Sequence, residues 1–210
     1  MDNLACRPDV IGCIVMASGR SSRFPGNKLL ANLGGEPVIE KTLSGLQSLD
    51  NLDLVVVTRY PEVQSIAVRK GLFCILHDEP VKSDTIRLGM EYGADRGWTG
   101  CMFVQGDQPL VHLDSYQALL QAFQKKPDCA CRLYWHSQAG APVIFPQNMF
   151  AALRTMTGDH GGNVLLNDKE TTAVQASSPW ELMDIDTKED LDKMEKYCAD
   201  RYFSALTSSR

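Results

Sequence analysis

Nowhere does this chain carry an apolar run of membrane length, and Met1–Asp9 holds no apolar core of the kind a signal peptide needs. Neither a membrane partner nor export is expected, and the simplest compartment is a reducing cytoplasm. A charge excess that would recruit nucleic acid is missing too. The net charge is −5, so any anion must be held by a local cluster of cations. Zinc-type spacing is also lacking. The seven cysteines, at 6, 13, 74, 101, 129, 131 and 198, are odd in number. Cys13, Cys74 and Cys101 sit in apolar runs and read as small core residues. Cys129 and Cys131 would share one face of a strand, yet no second Cys or His pair stands at a zinc-like distance. Repeats, low-complexity tracts and linkers are absent. What remains is 210 residues, 44% hydrophobic and 22% charged, enough for one sizeable core. The expected organisation is one domain over residues 10–203, an N-terminal extension over 1–9, and a frayed tail over 204–210.

Two familiar phosphate-binding loops are missing as well. A dinucleotide fingerprint needs Gly-x-Gly-x-x-Gly opening a helix, but Gly19 has Ala17 before it and Ser21 after it. A P-loop needs Gly-Lys-Ser/Thr, but Gly26 is followed by Asn27, Lys28 and Leu29. What stands there is a different loop, Val15-Met-Ala-Ser-Gly-Arg-Ser-Ser-Arg-Phe-Pro-Gly-Asn-Lys28. An apolar run stops at small residues that let backbone N–H groups approach a ligand closely. Arg20, Arg23 and Lys28 can neutralise a negatively charged one. A strand ending in such a loop is how an α/β protein builds a phosphate site.

Strand-like and helix-like runs alternate along the chain. Strands are expected at Val10–Met16, Leu52–Thr58, Leu72–Leu76 and Cys101–Val104. Helices are expected at Pro37–Leu49, Pro61–Lys70, Asp84–Tyr92 and Leu113–Lys125, the last with Leu113, Tyr116, Leu119, Leu120 and Phe123 on one side. After Pro127 come strands at Cys129–Trp135 and Pro142–Phe145 around a turn at Ser137–Gly140, and short helices at Asn148–Thr155 and Asn163–Leu166. A strand at Thr171–Gln175 precedes a long helix over Thr187–Phe203, capped by Thr187 with Glu189 and Asp190 in its first turn. This order argues a mostly parallel, doubly wound sheet.

Ligands collect outside the carboxyl ends of the strands in such a sheet. Gln105-Gly-Asp-Gln-Pro109 follows one of them and puts Asp107 at that edge. A carboxylate beside phosphate-binding cations is unfavourable for an anionic ligand unless a divalent metal bridges them, and magnesium is held in that way. Asp184 and Asp186 stand two apart on an extended segment just before the final helix, so they face the same way. One of them with Asp107 would complete a metal site for phosphoryl chemistry.

Together these motifs resemble the nucleotidyltransferase superfamily with the glycosyltransferase-A-like fold, and within it they look most like the molybdenum cofactor cytidylyltransferase group. The resemblance is carried by Met16-Ala-Ser-Gly-Arg-Ser-Ser-Arg with Lys28-Leu-Leu, then Gly106-Asp-Gln-Pro-Leu-Val111. It continues through Gly140-Ala-Pro-Val-Ile-Phe145, Thr157-Gly-Asp-His-Gly-Gly162 and Asp184-Ile-Asp-Thr-Lys-Glu-Asp-Leu191. It implies a three-layer α/β/α sandwich with a mostly parallel mixed sheet. It further implies a nucleotide site made of Ala17, Ser18, Gly19, Arg20, Ser21, Ser22 and Lys28, with Ser83 and Arg87 from the stretch Ser83-Asp-Thr-Ile-Arg87.

Lys28, Arg23 and Asp107 carry the catalytic roles in that reading. Asp107 and Asp186 bind Mg2+, Asp184 being the weaker candidate for direct ligation. Gly140, Pro142, Gly158, Asp159 and Gly161 border an acceptor phosphate. The implied reaction is attack of a pterin-type or other phosphorylated acceptor on the α-phosphorus of CTP, with release of pyrophosphate; a recipient molybdoenzyme is an implied partner. Ala141 stands where His is frequent in the molybdopterin enzymes, and Pro25 replaces a common glycine. Ser18 stands where cytidylyl members often have Ala and guanylyl members Gly, which leans toward a pyrimidine. Two alternatives stay open: a GTP-dependent or sugar-phosphate nucleotidyltransferase on the same fold, and a non-catalytic nucleotide-binding or cofactor-delivery protein. Lys28, Asp107 and Asp186 together argue against the second, because binding alone needs no two-carboxylate metal site.

Overall fold

Seven strands hydrogen-bond into one sheet in the computed structural model, which describes residues 10–208 with side chains for 10–201. The expected N-terminal extension, 1–9, and residues 209–210 lie outside the described residues. The strands are β1 (Ile11–Ala17), β2 (Leu52–Thr58), β3 (Phe73–Leu76), β4 (Gly100–Gln105), β5 (Cys131–Trp135), β6 (Gln138–Pro146) and β7 (Thr172–Gln175). Their order across the sheet is β3-β2-β1-β4-β6-β5-β7. Only β6 runs against the rest: it pairs antiparallel with both β4 and β5, while the other neighbours are parallel.

Every residue of β1 is buried, because it lies at the centre of the sheet between β2 and β4 and is covered on both faces. Alternate residues feed two cores. Cys13 and Val15 pack with Ile39, Leu43 and Leu46 of α1 (Val38–Gln47), Val63 and Ile66 of α2 (Pro61–Arg69), and Tyr116, Leu119 and Phe123 of α4 (Leu113–Lys125). Ile14 and Met16 pack the other way, against Ile86 and Met90 of α3 (Lys82–Asp95) and Leu153 of α5 (Phe150–Thr155). This is the three-layer α/β/α sandwich with a mixed, mostly parallel sheet. A smaller cluster joins Leu33, Val38 and Ile185 to Met194 of α6 (Lys188–Ser208).

The strand at Leu52–Thr58 and the helix at Leu113–Lys125 coincide with their apolar patterns. Elsewhere tertiary contacts move the boundaries. The turn expected at Ser137–Gly140 is tighter: the chain reverses at His136–Ser137, with His136 at φ 50°, and Gln138–Gly140 continue the strand. Helix α3 starts at Lys82, two residues before the expected Asp84. A distant loop caps it, since the Ser83 N–H donates to the Gly158 carbonyl (3.3 Å) and the Lys82 N–H to Asp159 Oδ1 (3.3 Å). Helix α6 runs to Ser208, into the segment expected as a tail from residue 204. Three elements carry too little pattern to be foreseen: the ladder Asn32–Leu33 with Glu36–Pro37, and the 3-10 turns Lys28–Leu30 and Pro179–Leu182.

Candidate active site

The loops leaving β1 and β4 meet at the carboxyl edge of the sheet, where the chain order of the strands reverses. After Ala17 the chain enters a loop shaped by Ser21 (φ 51°) and Gly26 (φ 84°). The Lys28 N–H donates to Ser21 Oγ (3.3 Å) and the Leu29 N–H to Asn27 Oδ1 (3.0 Å), which closes the loop onto its short 3-10 turn. A Cβ on Gly19 would meet nothing within 4 Å, so packing does not dictate that glycine. After β4, Gly106 donates its N–H to the Met16 carbonyl (3.1 Å), and a Cβ there would sit 3.0 Å from Ile39. That close approach brings Asp107 beside the first loop.

Lys28 is 8% exposed. Its Nζ lies 2.5 Å from Asp107 Oδ2 and 2.9 Å from Asp186 Oδ1. Burial works to lower its pKa, but the two carboxylates outweigh it and hold the ammonium above the ordinary lysine value. Arg23 Nη2 donates to Asp186 Oδ2 at 2.7 Å. The segment carrying Asp186 is itself fixed. The Ile185 N–H donates to the Asp107 carbonyl (3.1 Å), and the Asp186 N–H donates to Asp190 Oδ2 (3.3 Å). Thr187 and Asp190 form the reciprocal cap expected of Thr187, and Asp190 also anchors Asp186. Asp184 lies deeper; burial and then the Asp107 charge push its pKa up, while Gln108 Nε2 (3.4 Å) opposes the shift.

These groups open into a cleft of about 920 Å³. Ser18, Gly19, Arg20, Ser21, Ser22, Arg23, Lys28, Asp107, Asp184 and Asp186 line it, as do Gly140 and Asp159. Other expected site residues do not. Ala17 is 1% exposed and gives its carbonyl to Thr58 Oγ1. Ser83 is 3% exposed at the start of α3, and Pro142 is buried in β6. Arg87 does not line the cleft and turns instead to three carboxylates, Glu79 (3.8 Å) at its rim, Asp84 (3.6 Å) and Glu91 (3.2 Å). Gly158 and Asp159 serve as the cap of α3. A Cβ on Gly161 would come 3.3 Å from the Lys82 side chain, so the loop sits against that helix end.

The sequence pattern missed several lining residues. Glu79, Pro80 and Val81 form a strap after β3; Arg59 holds its Asp78 and Glu79 carbonyls (3.3 and 2.6 Å) and Arg20 holds that of Pro80 (2.9 Å). Gln108 and Arg132 also line the cleft. His77, just before the strap, stands 2.8 Å from Ser18 Oγ through Nε2. The Ser18 hydroxyl donates to the Val57 carbonyl (3.1 Å), so the imidazole proton belongs on Nε2. No linear motif marks these residues, because their role comes from what the fold puts beside them.

Among the described residues no three metal-ligating side chains converge. Asp107 and Asp186 are the pair that could hold a divalent cation. They already share a cation, they offer hard oxygen donors, and a magnesium ion held by one or two carboxylates completes its shell with water and substrate phosphates. Asn27 Nδ2, His77 Nδ1 and Gln108 Oε1 are buried without a hydrogen-bond partner among the described residues; Gln108 lines the cleft, and the other two belong to the loop and strap that frame it.

Residues 13–174 match the family model described as "MobA-like NTP transferase domain". The chain is 24% identical over 196 residues to a probable molybdenum cofactor guanylyltransferase of Thermococcus sibiricus, covering 86% of this chain and 95% of that one. It is 25% identical over 203 residues to the purine catabolism protein PucB of Bacillus subtilis, covering 90% and 97%. A 2-C-methyl-D-erythritol 4-phosphate cytidylyltransferase of Dehalococcoides mccartyi is 30% identical over 120 residues, covering 53% of this chain and 52% of its own. Among solved structures, Rv0371c of Mycobacterium tuberculosis H37Rv superposes with a TM-score of 0.76 at 20% identity, covering 90% of this chain and 98% of its own. A second structure of that protein, titled as a complex with manganese, gives 0.71 at 21% identity, covering 89% and 98%.

Proposed function

The chain belongs to the MobA-like NTP transferase family and is a nucleotidyltransferase, and from that premise we propose that it transfers CMP from CTP to a phosphorylated acceptor of the molybdopterin type. An acceptor phosphate oxygen bonds to the α-phosphorus as the bond from that phosphorus to the bridging oxygen breaks, and pyrophosphate leaves with the electron pair. The observation that carries this reading is the shared ammonium: Lys28 stands between Asp107 and Asp186 in a cleft whose first loop adds Arg20 and Arg23. Such a transfer asks for positioning and charge neutralisation more than for a protein nucleophile.

The placement supports the roles that the resemblance implies. The loop after β1 receives the triphosphate, with Arg20 and Arg23 on its β- and γ-phosphates and Lys28 on the α-phosphate, where charge is redistributed during transfer. Asp107 and Asp186 would hold a magnesium ion. When bound, that ion neutralises phosphate oxygens and lets two carboxylates coexist with an anionic substrate. Ser18, tied to Val57 and His77, forms a fixed wall near the expected base position, and its Cβ and hydroxyl take space that a guanine edge would need.

The first relative carries guanylyltransferase in its name, so GTP is the second reading. Pyrophosphate release separates the two when molybdopterin, with and without molybdenum, is supplied with Mg2+ and either CTP or GTP. Release with CTP supports the proposal. Release with GTP alone overturns the base assignment. No release with the pterin, while a sugar phosphate reacts, overturns the acceptor.

A further inference from the structure

The cleft has a second wall, built from the antiparallel half of the sheet. Between the pairs Arg132–Val143 and Tyr134–Ala139, β5 contributes only Leu133, while β6 contributes Gly140, Ala141 and Pro142. The hairpin therefore bulges at the segment that the sequence resemblance placed beside the acceptor. Bulges next to active sites re-aim side chains, and Arg132 at the edge of this one lines the cleft. Its Nε donates to the Gly140 carbonyl at 2.8 Å, which fixes the guanidinium plane. A Cβ on Gly140 would come 2.4 Å from Leu182, so the bulge is pressed against a second element and cannot drift freely.

Of the other cations lining the cleft, Lys82 opens α3, and the remaining three are engaged by the loops around them. Lys28 is engaged by Asp107 and Asp186, Arg23 by Asp186, and Arg20 by the Pro80 carbonyl. Arg132, like Arg20, has no carboxylate within ion-pair reach; its bond to Gly140 uses Nε and leaves both Nη groups without a partner among the described residues. Two Nη groups in one plane are the donor set that binds an oxyanion bidentately. Position matters as well. In-line displacement puts the nucleophile opposite the leaving group. With the pyrophosphate cations on the loop after β1, the nucleophile approaches from the β5–β6 side, where Arg132 stands.

Resting on the transferase reading above, we infer that Arg132 binds the acceptor's phosphate monoester and presents its oxygen to the α-phosphorus. Gly140 supplies the fixed carbonyl that orients the guanidinium. Arg132 neutralises charge that would otherwise keep a second phosphate away from the bound triphosphate; it takes no proton and forms no bond. The acceptor is accordingly an anion at its reacting end, and a neutral alcohol is a poor substitute.

The test separates acceptor binding from turnover. The protein is saturated with Mg2+ and the α,β-methylene analogue of CTP, and in parallel with that of GTP, and is then titrated with inorganic phosphate by calorimetry. Wild type binds phosphate saturably. Arg132→Gln weakens phosphate by about 10- to 100-fold, the range for loss of charge-assisted hydrogen bonds, and leaves analogue affinity within about twofold. Arg132→Lys, which keeps the charge but not the fork, recovers part of the loss. Equal phosphate affinity in wild type and Arg132→Gln overturns the inference, as does parallel loss of analogue and phosphate in both variants. Failure of molybdopterin to react with wild type would overturn the proposed acceptor and leave the titration to decide on Arg132. With an acceptor that does turn over, Arg132→Gln raises the acceptor KM while the CTP KM holds; a purely structural tether would move both.

Discussion

Asp107 and Asp186 meet on one ammonium: Lys28 Nζ is 2.5 Å from the first and 2.9 Å from the second. Two carboxylates from distant segments of the chain are held within reach of one cation at the edge of the sheet. The lysine keeps them together without a ligand, and phosphate oxygens arriving at the cleft would compete for it.

Asp107→Asn should lower turnover by roughly 10²–10⁴-fold, in line with loss of other preorganised electrostatic groups. The fold should persist, because the loop is anchored by Gly106 on Met16 and Ile185 on the Asp107 backbone rather than by the carboxylate. Single-turnover kinetics with a thermal melt checks both. Near-normal turnover in the folded variant would sink the assignment.

Lys28→Met removes the shared cation and leaves Asp107 and Asp186 facing each other. Without nucleotide, this variant should bind Mn2+ about tenfold or more tightly than wild type, a gain of ~1.4 kcal/mol or more, read by electron paramagnetic resonance. Weaker Mn2+ binding would mean the pair does not form a cation site.

Lys28 and Arg23 should also part company kinetically. Lys28→Ala should depress kcat more than nucleotide affinity if, as proposed, the lysine acts on the reacting phosphate. Arg23, whose side chain is 68% exposed, should mainly raise the nucleotide KM when replaced by Ala. The opposite split in steady-state data would exchange their roles.

Ser18→Gly opens the wall beside the expected base. It should shift the CTP-to-GTP affinity ratio toward GTP by no more than the about 1–3 kcal/mol that one small side chain supplies. Competition binding with Mg2+ measures it, and an unchanged ratio would remove Ser18 from base selection.

His77 should titrate below the ordinary imidazole value of ~6.5. Burial is the main cause, followed by the Arg59 charge, and protonation would place an unpartnered donor at the buried Nδ1. The unfolded chain then binds the proton more readily than the folded one. His77 thus contributes stability that is present above the unfolded value and declines as pH falls toward the folded one. An NMR titration of the imidazole checks it, and a midpoint above 6.5 would refute the burial argument.

Much of the fold was legible along the chain, because it depends on local apolar pattern. The central strand, Leu52–Thr58 and the amphipathic helix Leu113–Lys125 bury continuous or one-sided apolar surface, and that signal lies within each segment. The basic loop and Asp107 were legible for a related reason, since charge and glycine at the end of a buried strand have little structural use, and the pair Asp184 and Asp186 because it precedes the helix cap and capping does not explain it. Arg87 shows the limit. The family resemblance of Ser83-Asp-Thr-Ile-Arg87 implied a nucleotide contact, yet Glu79, Asp84 and Glu91 surround Arg87 in space. Asp190 shows it from the other side, since a residue that reads as a helix-dipole acid also pins the Asp186 backbone.

The sequence by itself determined the alternation of elements, the burial of the central strands and the chemical inventory of the cleft, since each is set by side chains within one short segment. The tertiary structure alone decided which charges meet. It brought Lys28 between carboxylates from two distant segments, capped α3 with Gly158 and Asp159, and set Arg132 on the cleft wall beside a bulge that only strand pairing creates. The physical reason is reach. Propensity and periodicity act over a turn or two of chain, whereas hydrogen bonds and charge act over a few ångströms of space.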